Sequence, residues 1–404
     1  MDSICYLYSV SDMPFTSLTI KRSYTWHNRV ALVPGGSAYF SRLLALIRKA
    51  HRSLYLQTYI FEADETGILV AEELKAAARR GVDVYLLLDG YASRQLPMVF
   101  QRELLEEGIH FRFFEPLLRS ERFYFGRRLH HKIVVADQRF ALVGGVNISN
   151  RYNDLPGQPA WLDWAVYTEG EVAQELFKIC VLLWFKSPKG AKAMLMQNPP
   201  LSFPVNWECA IRVRRNDWVR RLNQISGSYL DMFRKAENHV WIMSSYFLPG
   251  RVIRKSLIKA IKRGVSVTVI LAGTSDVPIA KHAERFIYRW LLRQGVRIYE
   301  YPRCVLHAKL SVYDRKFVTV GSYNVNNISA YASVELNLDI RKETFAAGVE
   351  KELRRIMEKD CMEITRTQLK SYSTVERLMQ WFSYELYRLV FFLFTFYFRQ
   401  QTKG

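Results

Sequence analysis

HHKIVVADQRFALVGGVN (residues 130–147) and HAKLSVYDRKFVTVGSYN (residues 307–324) carry one pattern at a constant offset of 177 residues: His-x-Lys, an apolar run, Asp, then Gly-[Gly/Ser]-x-Asn. Chance does not keep such spacing without an insertion. Each stretch reads as a hairpin. Residues i and i+2 of a strand share a face, so His130 points with Lys132 and His307 with Lys309. Asp137-Gln138-Arg139 and Asp314-Arg315-Lys316 have turn chemistry, Asp being favoured at the opening position. Folding each hairpin about its midpoint sets His130 opposite Asn147 and Lys132 opposite Gly145. In the second copy it sets His307 opposite Asn324 and Lys309 opposite Ser322. Each hairpin would then present His, Lys and Asn together beside a small residue.

The repeat extends outward from these hairpins. Strand-like runs SLYLQTYIF (residues 53–61) and HVWIMSSYF (239–247) open the two copies. Helix-like segments follow and end on Gly before a strand, in ARRGVDVYLLLDG (78–90) and IKRGVSVTVILAG (261–273), then in EEGIHFRFFEP (106–116) and RQGVRIYEYP (293–302). Strand alternating with helix predicts an α/β chain with a largely parallel sheet in each of two pseudo-twofold-related α/β/α repeats, the site shared at their interface. The expected divisions are an N-terminal segment of unassigned role (1–28), a first repeat (29–196), a proline-marked linker (197–209), a second repeat (210–365) and a C-terminal segment (366–404).

The paired cluster suits a phosphodiester. Lys supplies a point charge for a phosphate oxygen, the Asn amide a further hydrogen bond, and His can attack or move protons near neutral pH. Two copies supply both a nucleophile and a general acid. No Asp/Glu/His set has metal-site spacing, so neither a metal nor another cofactor is expected. His131 points to the other face and reads as packing. His51, His110 and His239 read as structural, and the basic pairs Arg79-Arg80 and Lys262-Arg263 as helix ends.

Composition bounds the partners. The 404 residues carry 58 Lys+Arg against 38 Asp+Glu, a net charge of +20, and 14% are aromatic. Such an excess draws a protein to polyanions, either nucleic acid or an anionic membrane face. Five scattered cysteines without paired spacing read as thiols. No run of about 18 apolar residues predicts a span. LVFFLFTFYF (389–398) is too short to cross a bilayer upright and fits an interfacial anchor, the alternative being a helix docked on the core. RSERFYFGRR (119–128) interleaves aromatics with arginines and fits contact with lipid phosphates. A soluble nuclease would not need the apolar tail.

The two HxKxxxxD copies, each with its downstream G-[G/S]-x-N, resemble the phospholipase D superfamily. Within it the chain is most similar to bacterial cardiolipin synthases of the shorter type that lack paired N-terminal membrane helices. LLLDGYAS, FRFFEP, RRLHHKIVVAD and GGVNIS carry that similarity, which runs from about residue 28 to the C-terminus. The resemblance implies phosphatidyl transfer: phosphatidylglycerol loads one histidine, taken as His130, and His307 acts as acid and base. A second phospholipid then accepts the group to give cardiolipin. Hydrolysis, phosphatidylserine synthesis and nuclease action are the alternatives with the same apparatus, and a lipid-binding scaffold is one without it. The resemblance further implies an acidic residue behind each imidazole, for which Asp163 and Glu335 are the candidates. Within the catalytic motif His130, Lys132, Asp137, His307, Lys309 and Asp314, it leaves Asp137 and Asp314 a structural part at the turn. Asn147, Asn324, Ser322 and Gly145 are then the phosphate-binding set. The implied setting is peripheral, on an anionic phospholipid membrane at the cytoplasmic side of a bacterial inner membrane, with no nucleic acid partner.

Overall fold

The computed structural model describes residues 23–115, 127–185, 187–326, 329 and 333–401. Most of the N-terminal segment and residues 119–126 of the arginine–aromatic stretch lie outside it.

The first repeat contributes β1 (Thr25–Pro34), β2 (Ser53–Thr58), β3 (Asp83–Asp89), β4 (His110–Phe114), β5 (Arg128–Leu129), β6 (Ile133–Ala136), β7 (Phe140–Gly144) and β8 (Trp164–Gly170). The second contributes β9 (Glu208–Asp217), β10 (Leu222–Asn223), β11 (His239–Ser244), β12 (Ser266–Ala272), β13 (Arg297–Tyr301), β14 (Lys309–Tyr313), β15 (Phe317–Gly321), β16 (Ser333–Arg341) and β17 (Met362–Ile364). The sheets are mixed, not largely parallel. Within each sheet only β2–β3–β4 and β11–β12–β13 run parallel, where helices cross over, and β6–β7–β8–β1 and β14–β15–β16–β9 continue antiparallel, with tight hairpins at β6–β7 and β14–β15. β1 pairs with β9, so the two sheets join at the pseudo-twofold.

β1 begins at Thr25 and β9 at Glu208, a few residues ahead of the expected boundaries. The Gly-led helix ends appear as read. Gly81, Gly108, Gly264 and Gly295 have φ between 81° and 94°. The residue after each glycine returns its N–H to a carbonyl five residues back, for example Val82 to Ala77 at 3.1 Å and Val265 to Ala260 at 3.2 Å.

Three apolar clusters form the layers. One lies on the outer face of the first sheet around Leu43, Leu56, Leu74 and Leu86. A second lies on the outer face of the other sheet around Phe233, Ile242, Val269 and Leu291. The third spans both repeats under the helices Glu171–Trp184 and Glu343–Asp360, from Val166 and Leu176 to Leu338 and Val349. This shared core fixes the repeats against each other, because removing either half would expose it.

Among the described residues no helix is long and apolar enough to cross a membrane. The C-terminal helix Thr374–Gln401 lies along the helix Pro278–Gln294, with Tyr384 stacked on Phe286 at 4.7 Å.

Candidate active site

The hairpins β6–β7 and β14–β15 carry the two motifs, in a register one residue from that expected. Ile133 pairs with Val143 and Ala136 with Phe140, and the second copy has Leu310 with Val320 and Tyr313 with Phe317. The loops are three residues long, Asp137-Gln138-Arg139 and Asp314-Arg315-Lys316. Asp137 and Gln138 have φ of 53° and 56°, and Asp314 and Arg315 have 46° and 53°, the left-handed pair that matches strand twist in a tight hairpin. Lys132 therefore stands across from Gly144, not Gly145, and Lys309 across from Gly321, not Ser322. His130 and Asn147 still reach one pocket because both lie past the paired residues, where strand alternation no longer sets direction.

Asp137 and Asp314 stay out of that pocket. The Asp137 carboxylate accepts the N–H groups of His51, Arg52 and Ser53 at 2.9, 2.8 and 3.0 Å. Asp314 accepts those of Glu237, Asn238 and His239 at 2.7, 3.0 and 2.8 Å. Each aspartate ties its hairpin to the start of a central strand, a structural part as expected.

A cavity of about 510 Å³ at the repeat interface has His130, His307, Asn147 and Asn324 in its wall. The carboxylates behind the histidines come from the opposite repeat in each case. His130 Nδ1 lies 2.9 Å from Glu335 Oε2, and His307 Nδ1 lies 2.6 Å from Asp163 Oδ2. Backbone pairing explains the exchange. β5 runs parallel to the start of β16, and His130 N donates to Val334 O at 3.0 Å. Reciprocally, Leu162 bridges Leu306 and His307 N donates to Leu162 O at 2.8 Å. Each histidine strand is thus zipped to the residue just before the other repeat's carboxylate.

Gly145 and Ser322 stand at these carboxylates and not at a phosphate site. A Cβ at Gly145 would lie 2.4 Å from Asp163 Oδ1, so only glycine leaves room there. Ser322 is fully buried, and its hydroxyl donates to Glu335 Oε2. The two asparagines differ: at Asn324 the buried atom without a partner is Oδ1, at Asn147 it is Nδ2. Asn147 Oδ1 accepts from Ile60 N at 3.2 Å, while its buried Nδ2 has no partner and remains a donor.

Lys132 and Lys309 lie almost wholly buried beneath the histidines. Lys132 Nζ donates to His130 O at 2.9 Å and faces the Tyr59 ring at 5.1 Å. Lys309 Nζ donates to Ser245 Oγ at 3.0 Å and to His307 O. Burial pulls Lys132 down to about 7 and Lys309 down to about 8.

The two carboxylates differ. Burial would raise Glu335, but the charge and hydrogen bond of His130, then Lys132 and Ser322, hold it below the usual range. Burial wins at Asp163 and pushes it up to about 7, against Lys309 and the Trp164 N–H. Burial also holds the His307 imidazolium well down, with Lys309 and Lys132 adding to the effect. Burial thus disfavours charge on both members of the His307–Asp163 pair.

His131 is completely buried and pushed down to about 3 by that burial, a neutral packing group as read. Arg127 is not available for the lipid contact expected of its stretch, whose residues 119–126 lie outside the described ones. It is buried and holds Asp217 at 2.8 Å and Glu115 at 3.1 Å. Arg128, by contrast, reaches the cavity. Sequence reasoning missed Asp276, a carboxylate in the cavity wall that accepts the Tyr246 hydroxyl. It follows no motif, and no spacing could have signalled it.

A family model described as "Cardiolipin synthase, PLD-like domain" matches residues 43–165 and 229–357, one segment in each repeat. The chain is 34% identical over 356 residues to cardiolipin synthase B of Salmonella typhi, covering 85% of this chain and 83% of that one. It is 31% identical over 361 residues to cardiolipin synthase B of Escherichia coli strain K12, covering 87% and 85%. Among solved structures, phosphatidylserine synthase from Haemophilus influenzae Rd KW20 superposes with a TM-score of 0.72 at 16% identity over 92% of this chain and 96% of that one, a likeness of fold. With the histidines of both motifs in one interface cavity and both segments matched, the chain belongs to the cardiolipin synthase family of phospholipase D-like proteins.

Proposed function

We propose that the protein is a phosphatidyltransferase that makes cardiolipin from phosphatidylglycerol and a second phospholipid through a phosphohistidine. The observation that carries this reading is the pair of cavity histidines, each engaged by a carboxylate at Nδ1 so that Nε2 is left for substrate. A carboxylate at that position fixes the tautomer and stabilises the cationic ring.

His130 is assigned as nucleophile. The charged Glu335 supports its positive phosphoimidazolium form, and attack of Nε2 on phosphorus breaks the bond to the headgroup oxygen. His307, hydrogen-bonded to Asp163, delivers a proton to the departing glycerol. It then takes a proton from the hydroxyl of a second lipid's headgroup, whose oxygen attacks phosphorus and frees His130. Lys132, Lys309 and the free Asn147 amide offset the phosphoryl charge. Asp276 gives the cavity an acceptor for the hydroxyls of a polyol headgroup. Peripheral placement on an anionic phospholipid membrane, at its cytoplasmic side, completes the reading.

The test is incubation of detergent-purified protein with labelled phosphatidylglycerol and EDTA, with or without phosphatidylethanolamine, followed by separation of the lipids. Labelled cardiolipin that disappears in His130→Ala and in His307→Ala supports the transferase. Phosphatidic acid as sole product means a hydrolase. Cleavage of DNA without lipid turnover overturns the lipid assignment.

A further inference from the structure

The helix Pro278–Gln294 and the C-terminal helix run antiparallel from the active-site mouth. Ala280 and Tyr387 both line the catalytic cavity, Phe286 meets Tyr384 midway, and further along Arg289 and Arg377 line a second groove of about 290 Å³. At about 1.5 Å per residue, Arg289 and Arg293 lie roughly 14–20 Å along the helix from Ala280. A phosphate held there is not the one under attack.

The groove is cationic and floored by aromatics. Arg285, Arg289, Arg293 and Arg377 line it with Trp290 and Tyr372. Arg285 is committed to Glu300 at 2.9 and 3.1 Å. Arg289 and Arg293, four residues apart on one helix face, have no carboxylate partner among the described residues, and Arg377 reaches only Lys370 O at 2.7 Å. The nearby carboxylates are occupied: Glu300 by Arg285 and Lys281, and Glu376 by Ser373 N at 2.7 Å and its hydroxyl at 3.0 Å.

The C-terminal helix is amphipathic in the inverted sense. Gln380 and Ser383 are buried on its inner side, whereas Val375, Leu378, Phe382 and Leu389 are each more than half exposed. Their spacing of 3, 4 and 7 puts them on one stripe. An outward apolar stripe beside unpaired guanidinium groups matches the profile of an anionic bilayer, acyl chains below and phosphates above.

We propose that the groove between these two helices binds the phosphate of an anionic phospholipid of the bilayer, separate from the substrate, with the apolar stripe set among the acyl chains. The bound lipid holds the cavity mouth, at Ala280 and Tyr387, against the membrane surface from which substrate is drawn. The inference rests on the phospholipid reading of the active site, but its test reads binding and not turnover.

The full chain carrying Arg289→Ala with Arg293→Ala is compared with Lys351→Ala plus Lys359→Ala. The second pair removes equal charge from the helix Glu343–Asp360, which covers the opposite face of the second sheet. Co-sedimentation uses phosphatidylcholine vesicles with and without phosphatidylglycerol. The arginine pair should weaken binding to the phosphatidylglycerol vesicles about ten- to thirtyfold, and the lysine pair about threefold or less. Turnover of short-chain phosphatidylglycerol dispersed as monomers should stay unchanged. Leu378→Asp with Phe382→Asp should release the protein from both kinds of vesicle, and continued binding overturns the apolar contact. Equal losses in the two charge pairs mean a generic basic surface and overturn the site. If inorganic phosphate raises the melting temperature of the wild type but not of the arginine variant, while vesicle binding is equal, the groove takes free phosphate and the lipid assignment fails. A wild type that does not turn over the dispersed lipid counts against the enzymatic reading alone.

Discussion

His130 and Glu335 sit 205 positions apart in different repeats, yet Nδ1 of one lies 2.9 Å from Oε2 of the other. With the reciprocal His307–Asp163 contact at 2.6 Å, this exchange makes the active site a property of the interface. Neither repeat holds a complete catalytic histidine–carboxylate pair of its own.

The crossed pairs predict opposite failures. Glu335→Gln should lower formation of the phosphoenzyme roughly 10²–10⁴-fold with little change in KM, since it leaves the His130 ring without its counter-charge. Asp163→Asn should slow breakdown more than formation, so labelled phosphoenzyme accumulates. Acid-quench trapping with labelled phosphatidylglycerol checks both. Accumulation in Glu335→Gln in place of Asp163→Asn would reverse the assigned roles of the histidines.

Gly145 and Ser322 are equivalent in sequence and should not be equivalent on mutation. Gly145→Ala puts a methyl 2.4 Å from Asp163 Oδ1 and must displace that carboxylate, so kcat should fall about 10²-fold or more. Ser322→Ala removes one donor from Glu335 and should cost about tenfold in kcat. Rates of both variants against the wild type, with melting curves to confirm folding, decide it.

Asp137→Ala and Asp314→Ala should act on stability. Each loses three backbone N–H bonds and should cost about 2–3 kcal/mol, seen as a lower denaturant midpoint. Folded enzyme should keep a kcat within about threefold of the wild type, because neither carboxylate reaches the cavity.

The pH profile follows from the buried lysines. Lys132 is lowered to about 7 and Lys309 to about 8. Both are cationic below those values and lose charge as pH rises, so kcat/KM should fall on the alkaline side through about pH 7–8. A bound phosphodiester anion favours the charged lysines and should shift the limb to higher pH in kcat. A kcat/KM flat to about pH 9 would show that the free enzyme keeps both charges.

Asp276→Ala should raise KM for the acceptor lipid about tenfold and leave phosphoenzyme formation within about threefold, if its carboxylate orients headgroup hydroxyls. Single-turnover loading measured beside steady-state transfer separates the two.

Local chemistry explains which features were legible in the sequence. The 177-residue offset, the Gly-ended helices and the two-histidine motif depend on neighbours along the chain, and the structure keeps them. The hairpin register slipped by one because Gln138 and Arg315 adopt left-handed φ, which the residue types alone do not announce. The mixed sheet was missed for a related reason: a short hairpin reverses direction where the α/β rhythm suggested continuation. The C-terminal helix docks by a polar side and keeps Val375, Leu378, Phe382 and Leu389 exposed, while most side chains of the 389–398 stretch lie outside the described ones.

The sequence by itself determined the paired catalytic residues, the repeat and the family, because each rests on residue type and spacing over a few positions. Tertiary structure alone decided which carboxylate serves which histidine, that Ser322 and Gly145 shape those carboxylates, and that Asp276 and Tyr387 border the same cavity. The histidine–carboxylate contacts and the meeting of Asp276 with Tyr387 join residues a hundred or more positions apart, through strand pairing between the repeats and packing of the last helix. Their partners are chosen by a shared core that no local window contains.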